Sequence, residues 1–256
     1  MISGISNLHL LSKNEIDEFI DSLIEVKVPT SLGFINQHAY NLILSDSLNK
    51  DSFSDLDYML RDGKGIELAC KYCKLDPGLN LNGTDFIPLL ISRIETRKIP
   101  CSNIVYGTSS PWLESGAAKL IRGEKLLVLN GFESTDKYIE HYIEHENHEL
   151  LNIVILAMGM PKQEHLAKKI KAVASSRVLI ICGGAIIDFK AERFKRAPLI
   201  FRKMGIEWFY RLVVEPRRLF RRYVIGIPIF FYNVMRFKLP SLKNKQFVCN
   251  KLNKEE

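Results

Sequence analysis

The sequence predicts an α/β fold, a single domain built on a mostly parallel sheet, with a helical, basic carboxyl-terminal appendage. Two observations predict the sheet and a third predicts the appendage. Short apolar runs alternate with helix-like stretches through the first two-thirds of the chain, as they do where strands and helices alternate along a sheet. Those runs each close on glycine or small polar residues, the texture of parallel strands whose carboxyl ends meet ligands. After Arg193 the chain changes to aromatics, aliphatics and arginines mixed together.

In order, residues 14–25 read as a helix and Ser31–Ile35 as a strand, while Ala39–Leu44 and Leu56–Leu60 read as helical. Asn103–Tyr106 is a strand delivering the polar turn Gly107-Thr108-Ser109-Ser110, and Lys125–Leu129 is another, ending at Asn130-Gly131. The strongest, Asn152–Met158, stops at Gly159 and Pro161 and gives way to a helix that starts at Lys162. Arg177–Cys182 repeats the pattern and ends at Gly183-Gly184. Ile200–Leu212 and Pro216–Tyr232 then read as helices. The expected organisation is residues 1–192 as the sheet domain, 193–238 as the basic appendage and 239–256 as a polar tail.

Bulk properties narrow the class. The 256 residues are 46% hydrophobic and 25% charged, enough for one real core. Five cysteines form an odd, sparse set, which disfavours a disulfide scaffold and suits a reducing compartment. The start meets acidic residues early, and no apolar run reaches about 18 residues. Neither a signal peptide nor a transmembrane helix is therefore expected, and the protein is expected in the cytoplasm. Of the net charge of +7, residues 193–222 carry +8, ten Lys/Arg against Glu207 and Glu215, so the rest is −1. A basic block of this kind fits a phosphate-rich partner. Its aromatic and aliphatic neighbours, among them Trp208, Phe209 and Phe220, suit an anionic membrane surface more than nucleic acid, and no nucleic-acid reading module is recognisable. A dinucleotide-dependent enzyme is disfavoured by the lack of Gly-x-Gly-x-x-Gly after the first strand.

Several motifs could carry chemistry. Asp62, in Arg61-Asp62-Gly63-Lys64-Gly65, offers a carboxylate at a glycine-rich turn, although Asp-Gly is commonly only a turn. Asn82-Gly83-Thr84-Asp85 fits a helix cap. The run from Gly159 to Glu164 places Lys162, Gln163 and Glu164 together where a strand passes into a helix, a position suited to an anion. Arg211, Arg218 and Arg221 would share one helix face if Pro216 did not interrupt it. Asp55-Leu56-Asp57 has the form of a metal-binding Asp-x-Asp but follows a polar stretch. His141, His145 and His148 sit in a solvated-looking helix, and Cys70 and Cys73 form a lone pair. No metal site is expected from any of these.

The stretches FINQHAY at 34–40, RDGKGIELA at 61–69, NGTDF at 82–86, MGMPKQE at 158–164, GGAIIDF at 183–189 and KRAPLIFRKMGIEWFYRLVVEPRRLFRRY at 195–223 resemble, in this order, the WecG/TagA/CpsF family of bacterial glycosyltransferases, glycosyltransferase family 26. The resemblance implies a Rossmann-like domain and an inverting, metal-independent transfer from a UDP-sugar, with no cofactor, to an undecaprenyl-diphosphate-linked acceptor. Its products would feed bacterial surface polysaccharide. It also implies an appendage that docks peripherally on the inner face of the plasma membrane and completes the site, and homo-oligomerisation is compatible with it. On the same resemblance, Asp62 is the general base, and Asn36 and Gln163 hold the sugars. Gly159, Asp188 and the turn Asn130-Gly131-Phe132 line the nucleotide side, and Arg211, Arg218 and Arg221 meet diphosphates. Two positions depart from many members, Phe34 in place of Thr and Asn80 in place of Arg, and both alter the expected sugar pocket.

Overall fold

The computed structural model describes residues 5, 7–122 and 126–237; the expected polar tail 239–256 lies outside them. The chain opens with β1 (Leu8–His9) and α1 (Ile16–Ile24), then β2 (Thr30–Ile35), α2 (Gln37–Ser45), α3 (Ser47–Asp55), β3 (Tyr58–Arg61) and α4 (Gly63–Tyr72). It continues through α5 (Gly83–Thr96), β4 (Cys101–Gly107), α6 (Trp112–Leu120), β5 (Leu126–Asn130), α7 (Thr135–His145), β6 (Leu151–Ala157), α8 (Lys162–Val173), β7 (Val178–Cys182) and α9 (Ile186–Lys190). The appendage follows as α10 (Leu199–Lys203), α11 (Glu207–Val214), α12 (Pro216–Phe220), a π-helical turn (Arg221–Ile225) and α13 (Gly226–Phe237). No helix among the described residues is long and apolar enough to cross a membrane.

The seven strands form one sheet in the order β1-β3-β2-β7-β6-β4-β5, and every pairing is parallel. This is the Rossmann-like α/β architecture the sequence predicts. Side chains alternate between the two faces, as the two-residue strand period requires. Val154, Leu156, Ile180 and Tyr106 face α2, α3, α4, α7 and α8. Ile153, Ile155, Leu179 and Val105 face α1, α5, α6 and α9. With helices on both faces the central strands are apolar throughout, which is why they stand out in the sequence.

Register sets the site. Ile35 is level with Arg61, Leu156 with Cys182, and Gly107 with both Ala157 and Asn130. The residues that follow these strand ends, Asn36, Asp62, Gly159, Gly183, Thr108 and Gly131, therefore share one edge of the sheet.

Three expected elements need correction. Leu56–Leu60 is not helical: Leu56 ends α3, and Tyr58–Arg61 is a strand between β1 and β2. A run this short has no decisive period, and ladder pairing on both sides decides it. Asp62 thus stands at a strand-to-helix junction, not after a helix. In the appendage, Ile200–Leu212 is two helices parted at Gly205, whose φ of 72° only glycine adopts readily. The second, Pro216–Tyr232, passes through a π-helical turn.

The appendage does not simply hang from the sheet. Phe230 and Val234 of α13 are buried in the core, and the Phe230 ring meets Tyr40 of α2 edge-on at 5.3 Å. Asn41 Nδ2 donates to the Gly226 carbonyl at 2.7 Å. Near the other end, Arg196 donates twice to Asp85 at 2.6 and 2.8 Å, tying the first residues of the appendage to α5.

Candidate active site

A cleft of about 700 Å³ opens along the carboxyl edge of the sheet, roofed by residues of the appendage. Asp62 stands in its floor as the N-cap residue of α4, yet its carboxylate makes no cap bond. It accepts instead from Asn36 Nδ2 at 3.1 Å. Asn36 can present that nitrogen because its oxygen is occupied: Oδ1 caps α2, accepting from the amides of His38 and Ala39 at 3.0 and 3.1 Å. The cap fixes which way the amide points, and the amide fixes the carboxylate. Burial pushes the Asp62 pKa above the usual carboxylate value, opposed by the Asn36 bond and by the charges of Arg222, Arg211 and Arg61. A carboxylate displaced this way is a better proton acceptor than an exposed one.

Both departures line the cleft that holds Asp62. Asn80 Oδ1 accepts from the Gly63 amide at 2.7 Å, holding the turn where Gly63 adopts φ 85°. Arg61 does not present its guanidinium to the cleft. It is buried, does not line the cleft, and donates to the carbonyls of Gly63 and Gly78 at 3.2 and 3.1 Å. Lys64 lines the cleft while paired with Glu67 at 2.7 Å. Phe34 lays its ring against Gly83 and Phe86 and forms an apolar wall.

Gln163 lines the cleft whereas Glu164 does not, and neither has solvent exposure. Gln163 Oε1 accepts from the Gly184 amide at 2.9 Å, and its Nε2 donates to Glu164 at 2.8 Å. Gln163 so joins the turn after β6, which carries Gly159, to the turn after β7. The second Glu164 oxygen has no hydrogen-bond partner among the described residues, and burial pushes this carboxyl up to about 7. Lys162, grouped with these in sequence, does not reach the cleft. Its ammonium donates to the Gly131 and Glu133 carbonyls at 2.9 and 3.1 Å and so braces the turn after β5.

In that turn Gly131 and Phe132 line the cleft, whereas Asn130 does not. Asn130 shapes the turn instead, its Oδ1 accepting from the Phe132 amide at 3.0 Å. A Cβ on Gly131 would lie 2.6 Å from the Gly107 carbonyl oxygen, so the close approach of these turns needs glycine. Phe132 is 76% exposed, a ring face open at the mouth. Asp188 lines the cleft and pairs with Arg193 at 3.1 Å.

The appendage arginines sort differently from their spacing. Arg211 lines the cleft, its guanidinium 5.4 Å from the Phe189 ring centroid. Arg221 is exposed and lies outside the lining, and Arg222 takes the cleft-facing place. The break at Pro216 and the π-helical turn, which adds a residue per turn, rotate the frame that regular helical spacing assumes. The Arg218 side chain lies outside the described residues.

Sequence reasoning missed Arg193, Arg222 and the brace of Lys162, whose neighbours come from distant elements. The Asp-x-Asp pattern has a structural use: Asp57 accepts from the Ser31 amide and hydroxyl, both at 2.8 Å, and pairs with Lys171 at 2.8 Å. His141 is hydrogen-bonded to the Tyr106 hydroxyl at 3.0 Å. Among the described residues no three His, Cys, Asp or Glu side chains converge as metal donors would.

Comparison with known proteins places the chain in a family. Over 92 residues the chain is 37% identical to the N-acetylglucosaminyldiphosphoundecaprenol N-acetyl-beta-D-mannosaminyltransferases of Staphylococcus aureus strains MRSA252, NCTC 8325 / PS 47 and COL. That stretch covers 36% of this chain, and the chain spans only 35% of the length of those curated relatives. A wider match runs over residues 2–244 and takes in every strand-end residue described above. On that match the chain belongs to the WecG/TagA/CpsF family of glycosyl transferases.

Proposed function

We propose that the chain is an inverting glycosyltransferase that moves a sugar from a UDP donor onto an undecaprenyl-diphosphate-linked acceptor in bacterial surface polysaccharide assembly. The observation that carries this reading is Asp62, an uncapped carboxylate oriented by Asn36 and facing a cleft that Arg211 and Arg222 roof. Asp62 takes the proton of the acceptor hydroxyl as that oxygen attacks the anomeric carbon. One displacement inverts the centre and needs only one carboxylate. Departure of UDP leaves negative charge that guanidinium groups and strand-end amides stabilise without a metal or other cofactor. The relatives' names give N-acetylmannosamine as the sugar they transfer and N-acetylglucosaminyl-diphosphoundecaprenol as what they act on.

The appendage would meet the membrane. It exposes Phe209, Val213, Val214, Phe220, Val224 and Ile225 beside its basic residues, a composition suited to an anionic cytoplasmic leaflet. For the donor, a neutral sugar such as an N-acetylhexosamine fits better than a uronic acid. Asn80 is occupied with Gly63, Arg61 with two carbonyls, and Phe34 makes the neighbouring wall apolar. The test is a panel of UDP-sugars, neutral and uronic, offered with short-chain diphospholipid acceptors. Transfer of a neutral N-acetylhexosamine supports the reading. A clear preference for a UDP-uronic acid overturns the donor assignment, and the absence of any transfer or UDP binding overturns the function.

A further inference from the structure

Four Lys or Arg side chains line the cleft among the described residues: Lys64, Arg193, Arg211 and Arg222. Lys64 and Arg222 belong to the Asp62 end, while Arg211 reaches both Asp62 and Phe189, the neighbour of Asp188. Lys64 follows Asp62 in α4 and is paired with Glu67, and the charges of Arg211 and Arg222 act directly on Asp62. Arg193 stands elsewhere. Its Nη1 donates to Thr108 Oγ1 at 2.5 Å, beyond the end of β4, and to Asp188 Oδ1 at 3.1 Å, beyond the end of β7. Strands lie about 4.8 Å apart in a sheet. In the order β3-β2-β7-β6-β4 these anchors are two and four strands from β3, so Arg193 sits roughly 10–19 Å along the edge from Asp62's strand. It lies towards Gly131 and Phe132.

The guanidinium is also presented rigidly. Its central carbon lies 4.3 Å from the centroid of the Trp112 ring and 5.3 Å from that of Phe194, and its side chain is 32% exposed. Stacking holds the plane and leaves its edge for hydrogen bonds. Both bonds to protein use one nitrogen, Nη1, of a group that carries five N–H donors.

Resting on the glycosyltransferase reading above, we infer that Arg193 is a donor-binding residue that takes the diphosphate of the UDP-sugar, with Trp112 as its platform and Asp188 as the partner it holds before the donor arrives. The geometry divides the cleft's cations by task. Attack with inversion places the leaving diphosphate on the far side of the sugar from the base, so a cation remote from Asp62 serves the donor. Arg222, whose charge acts most strongly on Asp62, serves the acceptor's diphosphate. A diphosphate competes well for a forked guanidinium against a single carboxylate oxygen. As Arg193 turns to the phosphates, the Asp188 carboxylate becomes available to the ribose hydroxyls.

The experiment is titration calorimetry of the whole protein with UDP and with uridine, on wild type, Arg193→Gln and Trp112→Leu, each first shown to unfold cooperatively. Loss of a charged hydrogen-bonding partner should weaken UDP binding by roughly 10- to 100-fold in Arg193→Gln and leave uridine binding within about twofold. Trp112→Leu keeps the charge without the platform and should show a smaller loss, again confined to UDP. Wild-type affinity for UDP in Arg193→Gln overturns this inference and leaves the transferase reading standing. Equal losses for UDP and uridine also overturn it, because Arg193 would then only hold the fold of the pocket. Failure of the wild-type protein to bind UDP overturns both.

Discussion

Glu164 is buried without solvent exposure, takes one hydrogen bond from Gln163, and has a second oxygen without a partner. Burial disfavours its charged form and raises its pKa from 4.5 to about 7. The folded state therefore holds this proton more tightly than the unfolded chain does. By linkage, stability is unaffected below about pH 4.5, falls as pH rises from there to about 7, and levels off above. The rise from 4.5 to about 7 corresponds to roughly 3 kcal/mol at neutral pH. Glu164→Gln keeps the oxygen that Gln163 donates to and removes the charge. The stability difference should be smallest at pH 5 and grow progressively in favour of the substituted protein towards pH 8. Asp62, also raised, is present in both proteins and cancels in the difference. At this chain length roughly 3 kcal/mol corresponds to about 5–10 °C in melting temperature. Thermal melts of the two proteins at half-unit steps from pH 5 to 8 measure it. A constant difference across that range would refute the reasoning, since Glu164 would then titrate alike in folded and unfolded chains.

Asp62→Asn should reduce transfer by roughly 10²–10⁴ while leaving UDP affinity unchanged, and activity within a few-fold of wild type would exclude Asp62 as the base. Asp57→Ala should cost about 1–3 kcal/mol in urea unfolding, because the Ser31 amide and hydroxyl lose their acceptor and Lys171 one of its partners. It should leave the transfer rate of the surviving folded enzyme unaltered; a selective collapse of turnover with intact stability would restore the metal reading of Asp55-Leu56-Asp57. Binding to liposomes should require anionic lipid and weaken with salt, at about 1 kcal/mol per basic residue near the surface, and salt-insensitive binding to neutral vesicles would count against the electrostatic part of the docking.

The sheet was legible because a doubly covered parallel strand is apolar on both faces. Leu151–Ala157 and Val178–Cys182 are fully buried, and each ends on a turn rich in glycine. Tyr58–Arg61 was not legible, since four residues ending in arginine look like the close of a helix until β1 and β2 flank them. Asp62, Asn36 and Gln163 could be named from motifs, and the cleft brings all three together. The tasks of Asn130, Lys162 and Asn80 could not, because each hydrogen bond joins turns that only the strand register makes adjacent. Arg222 was hidden for a local reason, the π-helical turn that displaces Arg221 from the face spacing assigns to it.

One helix links the two halves of the site. The amino terminus of α2 is capped by Asn36, and the same amide orients the Asp62 carboxylate. Further along, Tyr40 and Asn41 of α2 receive Phe230 and Gly226 from the appendage. Gly226 follows directly on the turn that carries Arg222, so the cation acting most strongly on Asp62 is fastened to the helix that positions Asp62. A shift of α13 away from α2 would move Arg222 from the carboxylate and open Phe230 to water. Burial of an aromatic ring of this kind is worth about 1.5–3 kcal/mol, enough to favour the assembled site over a detached appendage by about tenfold or more. The base and its neighbouring charge are thus assembled by core packing.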